Sequence, residues 1–335
     1  MRLEATITDP PVEPGAVTSS PGEHDAAPAP RARRLNRAAA LRVALVVAVA
    51  ASLVFAISSQ WSQLPDIEWH FRPGWLALSL LGLLAFEWMH IDIWRAMLRT
   101  MGGHLPRWKG RSIWATTLLA RYVPTSVLMA VGRVALSEKE GVPKRVSLAS
   151  VVYEVALTFT AAVIVSTYLV LRLPAFEDHA SRWLVLLIPV LGIVAMHPRI
   201  FHPIADFGLR RIGSEPLPVS LSFGKVLLYL AWFLLSFVVS GFAVLAMTLA
   251  LHPVPGGEML TVVASYSLGF AAGVIGFLLP GALGAREAGV VIAVTAAVPA
   301  AVALAVALVL RFVQVGVELG YAAVMPLMAR RRSSD

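Results

Sequence analysis

The sequence contains no cysteine, which excludes a disulfide frame, a thiolate metal site and a cysteine nucleophile. Charge is scarce as well: 14% of the 335 residues are Asp, Glu, Lys or Arg, where a soluble domain carries about a quarter. Enzyme fingerprints are missing, with no Gly-x-Ser-x-Gly, no P-loop and no dinucleotide-binding glycine pattern. The eight histidines have no zinc spacing, and Glu87-x-x-His90, half of a di-iron pattern, has no second copy. No metal or other cofactor is therefore expected. What the chain does hold is apolar surface: 58% of its residues are hydrophobic, the composition of a helical membrane protein. The net charge of +8 would suggest nucleic acid in a soluble chain. Here the basic residues flank apolar runs, so they read as topology signals and no nucleic-acid partner is expected.

Residues 1–30 hold six prolines and five acids without apolar periodicity, and read as a disordered tail. Residues 31–335 read as a single transmembrane domain. Six runs can span a hydrocarbon core that needs about 20 residues: Ala38–Ile57, Trp75–Trp94, Ser147–Leu171, Trp183–His197, Lys225–Leu251 and Ala300–Leu327. The fourth has 15 residues and must sit upright, thin the bilayer or extend at one end. Two further stretches, 112–136 and 259–299, are apolar but broken by proline, glycine and charge. With the N-terminus cytoplasmic, that side collects 20 Lys and Arg near the run ends against three (Arg72, Arg172, Arg182) opposite. Each broken stretch must then return to its own side. The first reads as a re-entrant hairpin turning at Arg121-Tyr122-Val123-Pro124. The second is either a hairpin or a span, Met259–Leu279, with a short return. The expected fold is all-α: six full spans plus two broken or re-entrant helical hairpins. Repeat one covers about 38–171 and repeat two, inverted, about 183–327, an arrangement that sets a binding site near the midplane.

Seven charges lie at membrane depth: Arg121, Arg133, Glu154, Arg286, Glu287, Arg311 and Glu318. Such groups pair or line a polar cavity, because facing lipid costs each several kcal/mol. Arg311, Gln314 and Glu318 fall on one helical stripe, with Glu287–Arg311 and Arg286–Glu318 the expected pairs. The first half offers Arg133 and Glu154, with Thr158 one turn beyond. Helices restarting after Pro124 or Pro280 present N–H groups and a positive dipole end that attract phosphate or carboxylate. Thr125 and Ser126 can cap the first, and Gly281 and Gly284 let a ligand approach the second. Both breaks are expected to face one wet vestibule halfway through the bilayer. Gly269-x-x-x-Gly273 and Gly316-x-x-x-Gly320 fit close helix packing. Glu87, His90 and Asp92 read as a cytoplasmic helix end beside Arg95 and Arg99. Trp61, Trp69, Trp75, Trp94, Trp108 and Trp183 read as interfacial anchors.

Arg121-Tyr-Val-Pro124, Gly132-Arg133-Val-Ala-Leu136, Val-Val-Tyr-Glu154, Leu279-Pro-Gly-Ala-Leu-Gly284-Ala-Arg286-Glu287-Ala and Leu-Val-Leu-Arg311 occur in that order. Together they resemble the lysylphosphatidylglycerol synthase transmembrane, or flippase-like, family over roughly 34–332. The resemblance implies translocation of a charged or glycosylated lipid head group between leaflets of a bacterial-type plasma membrane. Lysyl-lipid synthesis, the work of a soluble aminoacyl-transferase domain in bifunctional members, is not expected of the membrane part. Thr125 and Thr158 depart from the family pattern, where glycine and aspartate are frequent.

The expected function is a lipid flippase or transporter without covalent chemistry. An intramembrane lipid glycosyl- or acyl-transferase, or a scaffold for a separate lipid-modifying enzyme, stand as alternatives. The expected partner is a lipid with an anionic or glycosylated head group. A separate lipid-synthesis enzyme and a second copy of the chain stay open. The substrate-site residues are Arg121, Tyr122, Pro124, Ser126, Arg133, Glu154, Pro280, Gly281, Gly284, Arg286, Glu287, Arg311, Gln314 and Glu318.

Overall fold

The computed structural model describes residues 71–122, 127–172, 180–211, 213, 215–217, 220–277 and 284–332. The expected tail and first span, Ala38–Ile57, lie outside the described residues. Every regular element among them is helical: α1 (Pro73–Thr100), α2 (Arg107–Leu118), α3 (Val127–Lys139), α4 (Lys144–Arg172), α5 (Leu187–Ala195), α6 (Pro198–Arg211), α7 (Phe223–Leu251), α8 (Met259–Phe277), α9 (Ala285–Val294) and α10 (Ala300–Arg331). Helix α1 runs six residues beyond its apolar run. Arg95 to Thr100 are mostly good helix formers, and the chain breaks only at Gly102, whose φ of +87° suits glycine. The short fourth run extends at its start as a 3-10 turn, Ala180–Leu186. After α5 the chain turns by 78° into α6. Ile204 and Phe207 of α6 are exposed, while Phe201 and Leu209 are buried.

Among the described residues, five helices are long and apolar enough to cross a membrane, and the bent pair makes up to six. One of the five is 256–276, containing most of α8. The protein is a multi-pass membrane protein, with an apolar interior (Phe233, Phe237, Trp94, Met97) and an apolar exterior (Leu81, Leu191, Phe242, Ile275).

Helices α1 and α7 are antiparallel. The Arg72 N–H donates to the Ala250 carbonyl at one end (3.1 Å), and Thr100 and Tyr229 share a hydroxyl hydrogen bond at the other (2.6 Å). Basic residues gather at the second end, where Lys109 meets Glu140 (2.9 Å) and the Arg332 guanidinium sits 5.2 Å from the Trp108 ring. The Lys109–Glu140 pair closes the α2–α3 hairpin there, so both arms return to the basic end. The α8–α9 hairpin opens toward the other end, where Arg172 reaches the Gly257 carbonyl just before α8 (3.5 Å). The packing is crossed: α2 lies on α10, and α8 on α4.

Glycines make the close crossings. A Cβ at Gly82 would stand 2.8 Å from Ala243 Cβ, and one at Gly241 would collide with the Val263 carbonyl. At the α8–α9 crossing a Cβ on Gly289 would stand 2.9 Å from Gly269 Cα. The first Gly-x-x-x-Gly pair is thus used as expected. For the second no partner stands among the described residues: a Cβ at Gly316 or Gly320 meets none of them within 4 Å. Gly289→Ala is therefore expected to destabilise by about 1–3 kcal/mol through overpacking. Gly316→Ala should be neutral or gain up to about 1 kcal/mol of helix propensity. Thermal unfolding of both variants in detergent checks the contrast.

Candidate functional site

Helix α2 ends at Leu118, and a 3-10 turn, Leu119–Tyr122, carries the backbone of Arg121 and Tyr122 before α3 begins at Val127. The break expected here is thus a pair of helices of 12 and 13 residues. Helix α8 ends at Phe277 and α9 starts after Gly284, whose φ of +91° puts the helix cap in the left-handed region that only glycine enters freely. Pro124, Thr125, Ser126, Pro280 and Gly281 lie outside the described residues.

Against the first break, Arg133 of α3 forms an ion pair with Glu154 of α4, and both are buried (1% and 7% exposed). Burying one charge alone costs several kcal/mol, so the surroundings matter. Trp114 Nε1 donates to Glu154 Oε1 (3.0 Å), and Arg133 Nε donates to Thr117 Oγ1 (3.4 Å). The guanidinium lies 5.1 Å from the Trp94 ring and 5.4 Å from Trp114, within cation–π range. Trp94 is held in turn by its indole N–H to Ser150 Oγ (3.1 Å). One turn beyond Glu154, the buried Thr158 hydroxyl has no hydrogen-bond partner among the described residues. It is an orphan donor beside the pair, of the kind a ligand or water satisfies.

Against the second break, Arg286 Nη2 donates to Tyr266 OH (2.7 Å) and to Gln314 Oε1 (2.8 Å). Gln314 Nε2 donates to Glu318 Oε1 (3.0 Å), so the amide links Arg286 to the fully buried Glu318. The expected Arg286–Glu318 relation is thus carried through Gln314. Arg311 Nε meets Glu287 Oε1 at 3.4 Å, the pairing expected from the sequence, with the two side chains 23% and 31% exposed. Glu287 sits in the first turn of α9, where the helix dipole favours an anion. The void among Tyr266, Arg286, Glu287, Arg311 and Gln314 is about 10 Å³, near the room one water needs. The vestibule expected at the midplane is therefore narrow at this cluster, its polar atoms spent on each other.

Several residues stand elsewhere than the sequence suggests. Asp92 does pair with Arg95 (2.9 Å), but Glu87 and His90 are interior residues of α1, 2% and 6% exposed. His90 Nε2 shares a hydrogen bond with Ser236 (3.1 Å) and packs among Phe86, Phe233 and Phe237. With α1 ending at Thr100, Glu87 falls at its middle rather than at its end. Trp75 and Trp183 are exposed, as interfacial anchors are, whereas Trp94 is fully buried under Arg133 and Trp108 stacks on Arg111 and Arg332. Arg111, a topology charge by its position in the sequence, is 1% exposed. Tyr266 and Trp114 join the site without any charge pattern to announce them. Only their place on helices facing the two breaks could have singled them out.

Compared with curated proteins and with solved structures, the chain matches none. A scan of family models does find a match, over residues 41–319, which takes in both breaks and both clusters. The protein belongs to the family described as Lysylphosphatidylglycerol synthase TM region.

Proposed function

We propose that the protein moves lipids with anionic or glycosylated head groups between leaflets. Family membership ties it to membrane lipids. The observation that carries the finer reading is a pair of arginine–carboxylate clusters, buried Arg133–Glu154 and half-buried Arg286 linked through buried Gln314 to Glu318, each beside an interrupted helix pair. The two hairpins open toward opposite ends of the bundle, and each packs on the long helix of the other half. This supports an inverted repeat with two broken or re-entrant hairpins, one arm of the second, α8, being itself long enough to cross a membrane. The basic end then faces the cytoplasm by the positive-inside rule, with both termini on that side.

A charged head group in about 30 Å of hydrocarbon needs partners at half depth. The clusters meet that need by exchange. Glu154 holds Arg133 as an anion would, so an arriving phosphate replaces one anionic ligand with another and the guanidinium is never bare. Gln314 holds Arg286 by a neutral amide oxygen, which an arriving phosphate can displace. The Thr158 hydroxyl adds a donor one turn from Glu154. Acyl chains stay in lipid throughout, and no bond is made or broken.

The test is leaflet exchange of a labelled anionic lipid in proteoliposomes, with Arg286→Ala and Glu287→Ala made separately. Arg286→Ala is expected to slow exchange about a hundredfold and Glu287→Ala about tenfold, a barrier higher by about 2.8 and 1.4 kcal/mol, while elution and melting show folded protein. Wild-type rates in both variants would defeat the assignment. Covalent turnover of the lipid by the purified protein would replace it with a transferase.

A further inference from the structure

A second basic site lies where α1 ends and α2 begins. A cavity of about 480 Å³ is lined by Asp92, Arg95, Arg99, His104, Leu105 and Arg107. That volume lies in the range of small-ligand sites. Three guanidinium groups and one carboxylate line the same hollow, and the carboxylate is already satisfied from behind. Arg111 Nε and Nη2 donate to the two oxygens of Asp92 (3.2 and 2.7 Å), a forked pair, and Arg95 Nη1 adds a third bond (2.9 Å). Arg111 cannot leave: it is 1% exposed, with its guanidinium 4.0 Å from the Trp88 ring and 5.0 Å from Trp108.

With Asp92 neutralised by a buried arginine, the positive charge of Arg95, Arg99 and Arg107 is left to the cavity. Arg99 and Arg107 are exposed and have no carboxylate partner among the described residues. The Arg95 side chain is fixed, its Nε buried and without a hydrogen-bond partner among the described residues. It is fixed because its stem lies against Gly110, where a Cβ would stand 3.0–3.2 Å from Arg95 Nε, Cδ and Cγ. Helix α2 starts at this rim with Pro106 as cap, no side-chain cap bond and no acid in its first turn, so its dipole adds to the same sign. A topology signal needs neither a buried clamp nor a shaped hollow.

We propose that this cavity is a phosphate-binding site, separate from the buried clusters. Helix α2 links the two: Trp114, which holds Glu154, lies about 10 Å along the axis from Arg107 at 1.5 Å per residue. A phosphate bound at the rim is one helix away from the Arg133–Glu154 pair. The phosphate can belong to a lipid head group or to a soluble phosphomonoester. The inference rests on the cavity alone and holds whether or not the protein moves lipids.

The test uses full-length protein in maltoside micelles, which carry no phosphate. Isothermal titration with sn-glycerol 3-phosphate forms one arm, and titration with micelles doped with short-chain phosphatidic acid forms the other. Saturable binding in both arms makes phosphate alone sufficient; binding in the lipid arm only makes the head group of a lipid the ligand. Either result must weaken at least tenfold in the Arg99→Gln/Arg107→Gln double variant, whose exposed side chains leave folding and melting temperature unchanged. Binding in neither arm, or equal binding by the double variant, overturns the site. Exchange assays on the double variant separate this outcome from the translocation reading, since loss of phosphate binding with exchange intact supports the rim site and leaves that reading standing.

Discussion

Arg133→Ala is expected to abolish lipid exchange and to lower stability by about 3–5 kcal/mol, the cost of breaking a buried ion pair by removing one partner. Glu154 keeps the Trp114 indole but loses its counter-charge at 7% exposure, and two tryptophan rings lose the guanidinium they flank. Loss of exchange by such a variant could come from unfolding alone, so the informative variant is Arg133→Met/Glu154→Gln. With both charges gone and similar volume retained, much of the stability returns, because a buried pair contributes little relative to apolar isosteres. Exchange should not return, since the first cluster is left without a guanidinium to ligate a phosphate. Arg133→Lys should fall between: the charge remains, while the fork that meets both Glu154 and Thr117 is lost. Melting curves and leaflet exchange measured on the same preparations decide it. Recovery of exchange in the double variant would make the pair a packing device only.

Much of this site is legible in the chain because a charge within an apolar run is conspicuous and must find a partner. Arg133 with Glu154, and Glu287 with Arg311, follow from that necessity. What spacing along a helix does not carry is azimuth relative to neighbours. Gly269-x-x-x-Gly273 and Gly316-x-x-x-Gly320 are the same motif, yet among the described residues only the first meets another helix within 4 Å. Trp75 and Trp94 bound the same run, yet one is exposed and the other fully buried. Glu87 and His90 stand away from the helix end for a simpler reason. Charges at Arg95 and Arg99 break the apolar run, but the helix propensity of Ala96, Met97 and Leu98 and the burial of Met97 and Leu98 carry α1 on to Thr100, so both side chains fall at mid-helix rather than at its end. Arg111 shows the limit of charge counting, since a basic residue near a span end can be a topology signal or, as here, a buried clamp on Asp92.

At the second cluster the largest effect is expected from Gln314→Leu, a loss of roughly 3 kcal/mol and of about a hundredfold in exchange rate, because two hydrogen bonds to charged groups disappear together. Leucine approximates the volume of glutamine, so the loss is one of bonding rather than of space. Tyr266→Phe removes one acceptor from Arg286 and leaves the link to Glu318, so its effect should be near tenfold. Gln314→Glu is the discriminating variant. It preserves shape and the acceptor for Arg286, but it replaces the donor toward Glu318 with a second carboxylate. If the amide works as a bridge between a cation and an anion, Gln314→Glu must be nearly as damaging as Gln314→Leu. Should it behave as wild type in both melting and exchange, the donor to Glu318 has no role, and Glu318 stands outside the path of the head group.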